Sequence, residues 1–535
     1  MTTYNLADLF ERVAATVPDR EALVAGAVRM TYAELDRRSN RLAHYWSSRG
    51  VSPGDHIAIL AFNRAEWVEA MVAAFKLRAV PINVNFRYVE DELLYVIDNA
   101  EAVAVVHERQ FTPRIAAIRD RLPRVRDWLV LEDGADAAFA DDATPYESAL
   151  AVAGDAPLGI TRSADDIYML YTGGTTGMPK GVMWRHEDIF FGAMQGGAPG
   201  GVPISSPEEI VERVRTGFPL VSLNPAPMMH GGGMWTAMIM LLSGGKFVLC
   251  CDPHFDADEI LRLVQEERAT SILVVGDAMA RPLAEAQARR PYDCSSLFAI
   301  SSGGAILSKP VKAQLRELFP RARVIDSFGA SETGHLGAVA DFDTDPAGPR
   351  FTVDVSTRVL DEALDPVEPG SETVGHLARC GYIPLAYFRD PEKTAKTFRT
   401  DRHGVRWVLP GDLARVLADG TVQLLGRGSQ CINSGGEKIF PEEVEAVLKA
   451  HPAVFDAVVV GVPDARFTNA VCAVVQARPG MHITLDAIAH FCETRLARYK
   501  LPRHLVLVDA IPRTPPGKPD YRANQALALE RLGID

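Results

Sequence analysis

The segment YTGGTTGMPKG, Tyr171 to Gly181, interleaves three hydroxyls (Thr172, Thr175 and Thr176) with three glycines (Gly173, Gly174 and Gly177) and then presents Lys180. Glycines let backbone N–H groups come close to a phosphate, the hydroxyls add donors, and the lysine adds a positive point charge. This is not the phosphate loop of nucleoside triphosphatases, which places glycine directly before the lysine and serine or threonine directly after it. Pro179 and Gly181 stand there instead. A metal accompanying bound phosphates would therefore need a ligand from elsewhere in the chain. Taken alone, the segment reads equally well as a glycine-rich turn.

Four other segments carry matching chemistry. DSFGASETG, Asp326 to Gly334, sets an aromatic ring, a hydroxyl and a carboxylate after the apolar run ARVI. Phe328 could stack on a base there, and Glu332 could hold magnesium. SSGGAIL, Ser301 to Leu307, has no side chain at Gly303 or Gly304, so a flat purine could lie against its backbone. In LPGDLARV, Leu409 to Val416, Asp412 could accept both hydroxyls of a ribose, with the guanidinium of Arg427 following in GRGSQ. PRTPPGKPDYR, Pro512 to Arg522, presents Lys518 on a proline-stiffened loop. Each has a plain alternative: a strand-end turn, tight packing, a surface ion pair or a solvated lysine. The order and spacing of all five in one chain make an ATP site the better reading.

The elements that must hold these segments follow from periodicity. Short β-rich runs, HIAIL (His56 to Leu60), AVAVVH (Ala102 to His107), SILVVG (Ser271 to Gly276) and LFAISSGG (Leu297 to Gly304), alternate with helix-like segments such as RAEWVEAMVAAFKL (Arg64 to Leu77). That alternation predicts an α/β fold of βαβ units with parallel sheets. Between Phe351 and Gly420 the runs are short and broken by Gly, Pro and Asp, which predicts hairpins on a smaller β-rich subdomain. After QLLGRGSQCINSGGEKIFP (Gln423 to Pro441) a fresh helix–strand–strand–helix pattern predicts a small α+β C-terminal domain, placed to close as a mobile lid. The expected division is residues 1–426 for the large domain and 427–535 for the lid.

Composition bounds the partners. Lysine plus arginine is 56 and aspartate plus glutamate 69, a formal charge of −13, which opposes non-specific binding to nucleic acid or to an anionic membrane. The seven cysteines are scattered and lack paired metal-ligand spacing, as expected of reduced thiols in a cytoplasmic protein. The opening MTTYNLADLFERVAATVPDREAL has acidic residues in a helical apolar period and does not read as a signal peptide. The most apolar stretch, WTAMIMLLSGGKFVLCC (Trp235 to Cys251), is cut by Ser243 to Lys246 into pieces too short to span a bilayer. The oligomeric state is open, a homodimer included.

In order, YTGGTTGMPKG, FGASETG, PGD, GRGSQCINSGGEKIFPEEVE and PRTPPGK resemble the sequential core motifs of the adenylate-forming superfamily of acyl-CoA synthetases, luciferases and peptide-synthetase adenylation domains. The similarity runs from about Leu6 to Arg522. INSGGEKIFPEEVEAVL followed by HPAVFDAVVVGVPD is most similar to the acyl-CoA synthetases. GVMWRHEDIF, GDAMARPL and INVNFRYVEDEL resemble an actinobacterial branch that activates sterol side-chain acids. The resemblance implies ATP, Mg2+ and coenzyme A as cofactors, with a small-molecule carboxylic acid as the partner. Carboxylate attack on the α-phosphate would give acyl-AMP and pyrophosphate, and a thiol would then displace AMP. A medium- or long-chain fatty acid as substrate, or a carrier-protein phosphopantetheine as acceptor, is the alternative.

Carried over by motif, Thr172, Gly173, Gly174, Thr175, Thr176, Gly177 and Lys180 would bind the β- and γ-phosphates, and Glu332 the magnesium. Gly303, Gly304, Ala305, Asp326, Phe328, Gly329 and Ser331 would contact the nucleotide around adenine, and Asp412 with Arg427 the ribose. Lys518 would bridge the substrate carboxylate and the α-phosphate, where a pre-placed ammonium stabilises charge moving onto the bridging oxygens. Gly435 and Gly436 would line the pantetheine channel after rotation of the lid, and His230 would stand where that channel meets the acyl pocket. The family hinge position holds Ser429 rather than the usual aspartate or lysine, and the position of a second catalytic lysine in some relatives holds Asn433. Gly231, Gly232 and Gly233 would remove side-chain volume beside the acyl group, unless they are simply a flexible turn.

Overall fold

The computed structural model describes residues 3–138, 140, 142–172, 178–198, 201–305, 307–340, 350–427, 430–434, 437–464, 468–493, 495–496, 498–514 and 517–534. The expected α/β architecture is present. A five-stranded parallel sheet runs in the order Val80–Asn83, His56–Leu60, Ala102–Glu108, Asp127–Leu131, Thr144–Pro145. Helices Tyr32–Ser48 and Ala65–Lys76 cover one face, and Glu90–Asn99 and Thr112–Ile118 the other. Burial on both sides is why AVAVVHE is uniformly apolar to its last two residues instead of alternating.

The larger sheet has a parallel part, Glu21–Ala25, Lys246–Leu249, Val221–Asn224, Ser271–Val274, Ala299–Ser302 and Arg323–Ala330. Here the side chains alternate. Ile272, Val274, Ile300 and Val324 pack under helices Ala257–Glu267, Gly276–Arg289 and Lys309–Leu318. Leu273, Ser301 and Ile325 lie side by side in register on the opposite, half-buried face. The carboxyl ends of these strands carry the turns singled out in the sequence, where ligands of open α/β sheets bind.

The β-rich part after Arg350 is joined to this sheet. Strand Arg350–Val353 pairs with Gly334–Ala340 on one side and with Val422–Arg427 on the other, so the ladder continues from the parallel strands into the hairpins. The expected β-rich subdomain is present, with hydrophobic clusters around Leu377 and Ala378, and is continuous with the main sheet through this antiparallel ladder. Broken, Gly- and Pro-rich sequence marks the turns but cannot reveal which strand spans the junction.

Beyond Arg427, strands Val454–Asp464, Thr468–Ala477 and His504–Val508 form a second small sheet. Ala457, Val459, Val471 and Ala473 face a core shared with helix Pro441–Lys449, while Val458, Val460, Cys472 and Val474 face one shared with helix Tyr521–Leu532. Among the described residues, both cores draw on residues after Arg427 alone.

One buried amide ties three of these pieces together. Asn83, at the end of its strand, donates from Nδ2 to Tyr171 O (2.9 Å) and Met229 O (2.7 Å) and accepts from Tyr171 N at Oδ1 (2.8 Å). It is 4% exposed. The clamp fixes the start of the YTGGTTGMPKG segment against the residue preceding His230. Orphaning buried backbone groups costs ~1–3 kcal/mol each, so Asn83→Ala should lower the unfolding free energy by at least about 2 kcal/mol, read as a lower urea midpoint. An unchanged midpoint would mean that water replaces the amide at no cost.

Candidate active site

Lys518 sits on a loop closed by its own backbone: Thr514 N donates to Lys518 O (2.8 Å) and Gly517 N to Thr514 O (2.8 Å). Arg513 Nη1 donates to Gly517 O (2.6 Å), and Arg513 and Pro519 form a bridge. This loop carries the ammonium to the turn after strand Ala299–Ser302. A Cβ built on Gly304 would lie 3.3 Å from Lys518 Cε and 3.8 Å from Nζ. Gly304 has φ +80°, so both its conformation and the lysine above it call for glycine. Over Gly303 the space is open, with Leu273 Cδ1 nearest at 3.8 Å from the position of a Cβ. Gly303 N donates to Val274 O, Gly276 N to Ser302 Oγ (3.1 Å), and Ser302 Oγ to the carbonyl of Ala305 (2.9 Å), fixing the turn.

His230 precedes helix Gly231–Leu242 and faces the same space. Burial, and then the charges of Lys518 and Arg87, push its imidazole down to about 3, and its buried Nε2 has no hydrogen-bond partner among the described residues. The three following glycines differ in role. A Cβ on Gly233 would meet Pro227 O at 2.5 Å, and one on Gly231 would meet Leu170 Cδ2 at 3.0 Å, so these two serve packing. A Cβ on Gly232 would fit, in ordinary contact with Leu273 Cδ2 at 3.6 Å. Of the three, Gly231 and Gly233 are therefore held by close packing, and Gly232 is the one with room for a side chain.

The hairpin Arg323–Ala330/Gly334–Ala340 presents the second motif. Asp326 is 4% exposed; Lys312 Nζ lies 2.5 Å from Oδ2, and Leu307 N donates to Oδ1 (3.3 Å). Burial pushes its carboxyl up, opposed by Lys312. Phe328 packs on Phe351 with ring centroids 4.0 Å apart. Gly329 is required by the hairpin itself, because a Cβ there would collide with Gly334 O. Ser331 O accepts from Trp184 Nε1 (3.0 Å). Buried Arg379 donates from Nη1 to Gly192 O (3.1 Å), Thr333 O (2.9 Å) and His335 O, which pins the turn bearing Glu332. Glu332 Oε1 accepts from Tyr387 Oη (2.8 Å).

Thr172 and Lys180 face each other at the ends of paired strands Ile167–Thr172 and Lys180–Arg185. Lys180 Nζ is ion-paired with Asp390, whose other oxygen caps helix Pro391–Thr397 by accepting from Lys393 N (2.9 Å). Asp412 lies opposite Arg427 in the ladder between strands Asp412–Val416 and Val422–Arg427. Gly173, Gly174, Thr175, Thr176, Gly177, Ser429, Gly435 and Gly436 lie outside the described residues, as do the side chains of Arg427 and Asn433.

Among the described residues no cluster of three or more His, Cys, Asp or Glu gathers to hold a metal. That fits magnesium, which is commonly held by one or two carboxylates together with substrate phosphates; Glu332 is the carboxylate available. Tyr387, Asp390, Arg379 and Asn83 escaped the sequence reading. Asp390 followed by Pro391 was a readable helix start, and Asn83 a polar residue ending an apolar strand; Tyr387 and Arg379 gave no signal.

His230, His107 and His186 all favour the neutral ring in the folded chain, the latter two pushed down to about 4 by burial. The unfolded chain binds protons that the folded one refuses, so their contribution to stability is whole above 6.5 and is lost as pH falls toward 3. NMR of the His230 ring should show no titration between about pH 5 and 8. A midpoint inside that window would contradict its burial beside Lys518.

The AMP-binding enzyme family model matches residues 10–382, and that of the AMP-binding enzyme C-terminal domain residues 443–518. The chain is 47% identical over 530 residues to the 3-oxocholest-4-en-26-oate–CoA ligase of Rhodococcus rhodochrous, covering 97% of this chain and 95% of the relative. It is 45% identical to the medium/long-chain-fatty-acid–CoA/3-oxocholest-4-en-26-oate–CoA ligase of Mycolicibacterium smegmatis, covering 98% and 97%. The crystal structure of ATP-bound MatB from Rhodopseudomonas palustris superposes with a TM-score of 0.82 at 28% identity, over 97% of this chain and 98% of that one. The chain belongs to the AMP-binding enzyme family.

Proposed function

We propose that this chain is an AMP-forming acyl-CoA ligase that activates a bulky carboxylic acid in two steps at one site. In the first, a carboxylate oxygen attacks the α-phosphorus of ATP, forming acyl-AMP and releasing pyrophosphate. In the second, the thiolate of coenzyme A attacks the acyl carbon and AMP leaves. The observation that carries this reading is the delivery of Lys518 to the Gly303–Gly304 turn at the carboxyl edge of the parallel sheet. A carboxylate and a phosphate repel each other until a cation stands between them, and an ammonium fixed there stabilises the transition state more than the ground state.

Around it, Thr172, Lys180 and the loop Gly173–Gly177 take the β- and γ-phosphates, with Lys180 exchanging Asp390 for phosphate. Glu332, oriented by Tyr387, is the carboxylate for magnesium, which when bound would neutralise phosphate charge. Gly303, Gly304 and Ala305 provide a flat backbone for adenine, flanked by Phe328, Gly329 and Ser331. Asp326 is already paired with Lys312, so it acts by shaping this turn. Asp412 and Arg427 take the ribose. Residues 427–535 form the lid, and Gly435 and Gly436 serve the pantetheine arm. His230, with a ring pushed down to about 3, is too weak a base to take the thiol proton while Lys518 is beside it, and it shapes the junction instead. We place the protein in the cytoplasm: all seven cysteines are free thiols, and among the described residues no helix is long and apolar enough to cross a membrane.

Lys518→Ala should slow acyl-AMP formation by at least ~10²-fold, the scale for losing a transition-state donor, yet still convert supplied acyl-AMP to acyl-CoA. Equal loss in both half-reactions would reject that division of labour.

For the acid we propose a sterol side-chain carboxylate ahead of a medium- or long-chain fatty acid. The names of the relatives support it, as does the absence of a side chain at Gly232, which faces Leu273 of the half-buried row Leu273, Ser301 and Ile325. A fused ring system needs width, whereas an alkyl chain needs depth, and each methylene is worth only ~1 kcal/mol, so chain-length preference should be gradual. Measured as kcat/KM, 3-oxocholest-4-en-26-oate should exceed palmitate and octanoate, and all should exceed acetate; a fatty acid leading by tenfold or more (~1.4 kcal/mol) would overturn the sterol assignment alone. Gly232→Leu should penalise the sterol acid more than octanoate, and equal penalties would return Gly232 to a role in the turn.

A further inference from the structure

We propose that Arg281 and Phe455 form a latch between the two lobes that positions Lys518 for acyl-AMP formation, an inference that rests on the role given to Lys518 above. Helix Gly276–Arg289 begins at the turn that receives the lysine: Gly276 N donates to Ser302 Oγ, on the strand that leads into Gly303 and Gly304. Its first turns meet the C-terminal lobe at two points. A Cβ on Gly517 would lie 3.9 Å from Ala278 Cβ, directly before Lys518. One turn further on, the guanidinium of Arg281 lies over the ring of Phe455, 4.7 Å from its centroid.

Arg281 is built for this contact. It is 4% exposed, Nη2 donates to Asp277 Oδ2 (3.1 Å), and Asp277 is in turn fixed by Ser308 N on Oδ1 (2.7 Å). Its buried Nη1 has no hydrogen-bond partner among the described residues, and the guanidinium meets the aromatic face. A guanidinium held out of water gains most from a ring face.

The other end of the latch leads straight to the lysine loop. Asp456, next to Phe455, is ion-paired with Arg513, and Arg513 donates to Gly517 O. Lys449, from the same lobe, reaches Asp456 Oδ1 at 3.4 Å and is raised in part by Asp277 across the gap. A displacement of Phe455 is therefore passed through Asp456 and Arg513 to the residue before Lys518. The latch touches no reacting atom; Arg281 and Phe455 are positioning residues.

Phe455→Leu keeps apolar bulk and removes the ring. It should slow acid-dependent pyrophosphate release roughly tenfold, the scale of a desolvated cation–ring contact, and leave conversion of supplied acyl-AMP and coenzyme A unchanged. Phe455→Tyr should restore the rate. If the latch acts through the lysine, Phe455→Leu should add nothing in a Lys518→Ala background, where only independent effects would multiply. Hydrogen exchange, which needs no substrate, should quicken at residues 513–520 and stay unchanged in strand Val454–Asp464. Multiplying losses, equal loss in both half-reactions, or unchanged exchange at 513–520 would each overturn the latch. Failure of the unaltered protein to release pyrophosphate with any acid would instead overturn the ligase reading, and the exchange measurement would still decide the latch.

Discussion

The site depends on one electrostatic meeting: an ammonium near the C-terminus must stand over a glycine turn near the middle of the chain. Neither partner means much alone. Gly304 can receive the lysine because it has no Cβ and because its positive φ turns the backbone aside. Lys518 can reach it because hydrogen bonds of Arg513, Thr514 and Gly517 tie together the two sides of its loop. The parallel strands, the clamp at Asn83 and the small sheet after Arg427 exist, from the site's point of view, to bring these two within reach.

Around that meeting the charged groups are partnered before any ligand arrives. Lys180 holds Asp390, Lys312 holds Asp326, and Tyr387 donates to Glu332. A phosphate bound as we propose would exchange partners at Lys180 rather than expose a bare charge, which moderates the cost of desolvation. Lys312 and Asp326, both largely buried, are a fixed part of the frame. His230 resolves the same problem by giving up its charge: next to a lysine and out of water, the neutral imidazole is the cheaper state.

The sequence was most legible where function forces residue types into a fixed order. The motifs of the family stood out because glycines, hydroxyls and a late lysine recur in one arrangement, and of the residues singled out in them Gly304 lies beside Lys518 and Thr172 opposite Lys180. The βαβ alternation was legible for a different reason: doubly covered strands such as AVAVVHE leave continuous apolar runs. What escaped were contacts made by residues of ordinary type at long range. Arg379 binds carbonyls at Gly192 and Thr333, and Tyr387 reaches Glu332, with no local pattern to mark either. The run of three glycines left two readings open, and their close neighbours divide it: Gly233 packs on the backbone of Pro227 and Gly231 on Leu170, while Gly232 has room for a Cβ. Arg350–Val353 could not be read as the strand joining two sheets, because strand pairing partners are fixed by topology.

The small C-terminal sheet carries helices on both faces, and its two cores take in no residue from before Arg427 among those described. The two lobes therefore meet as tethered partners whose association costs no unfolding. A short tether sets an effective concentration of roughly millimolar, so docking contacts that would be too weak to hold two separate molecules suffice to keep this pair together much of the time. The same arithmetic keeps the lobes separable. Contacts such as the Arg281 guanidinium over the Phe455 ring and Gly517 against Ala278 are of that modest kind: each helps to register a lysine over its turn, and neither alone would hold two free molecules together.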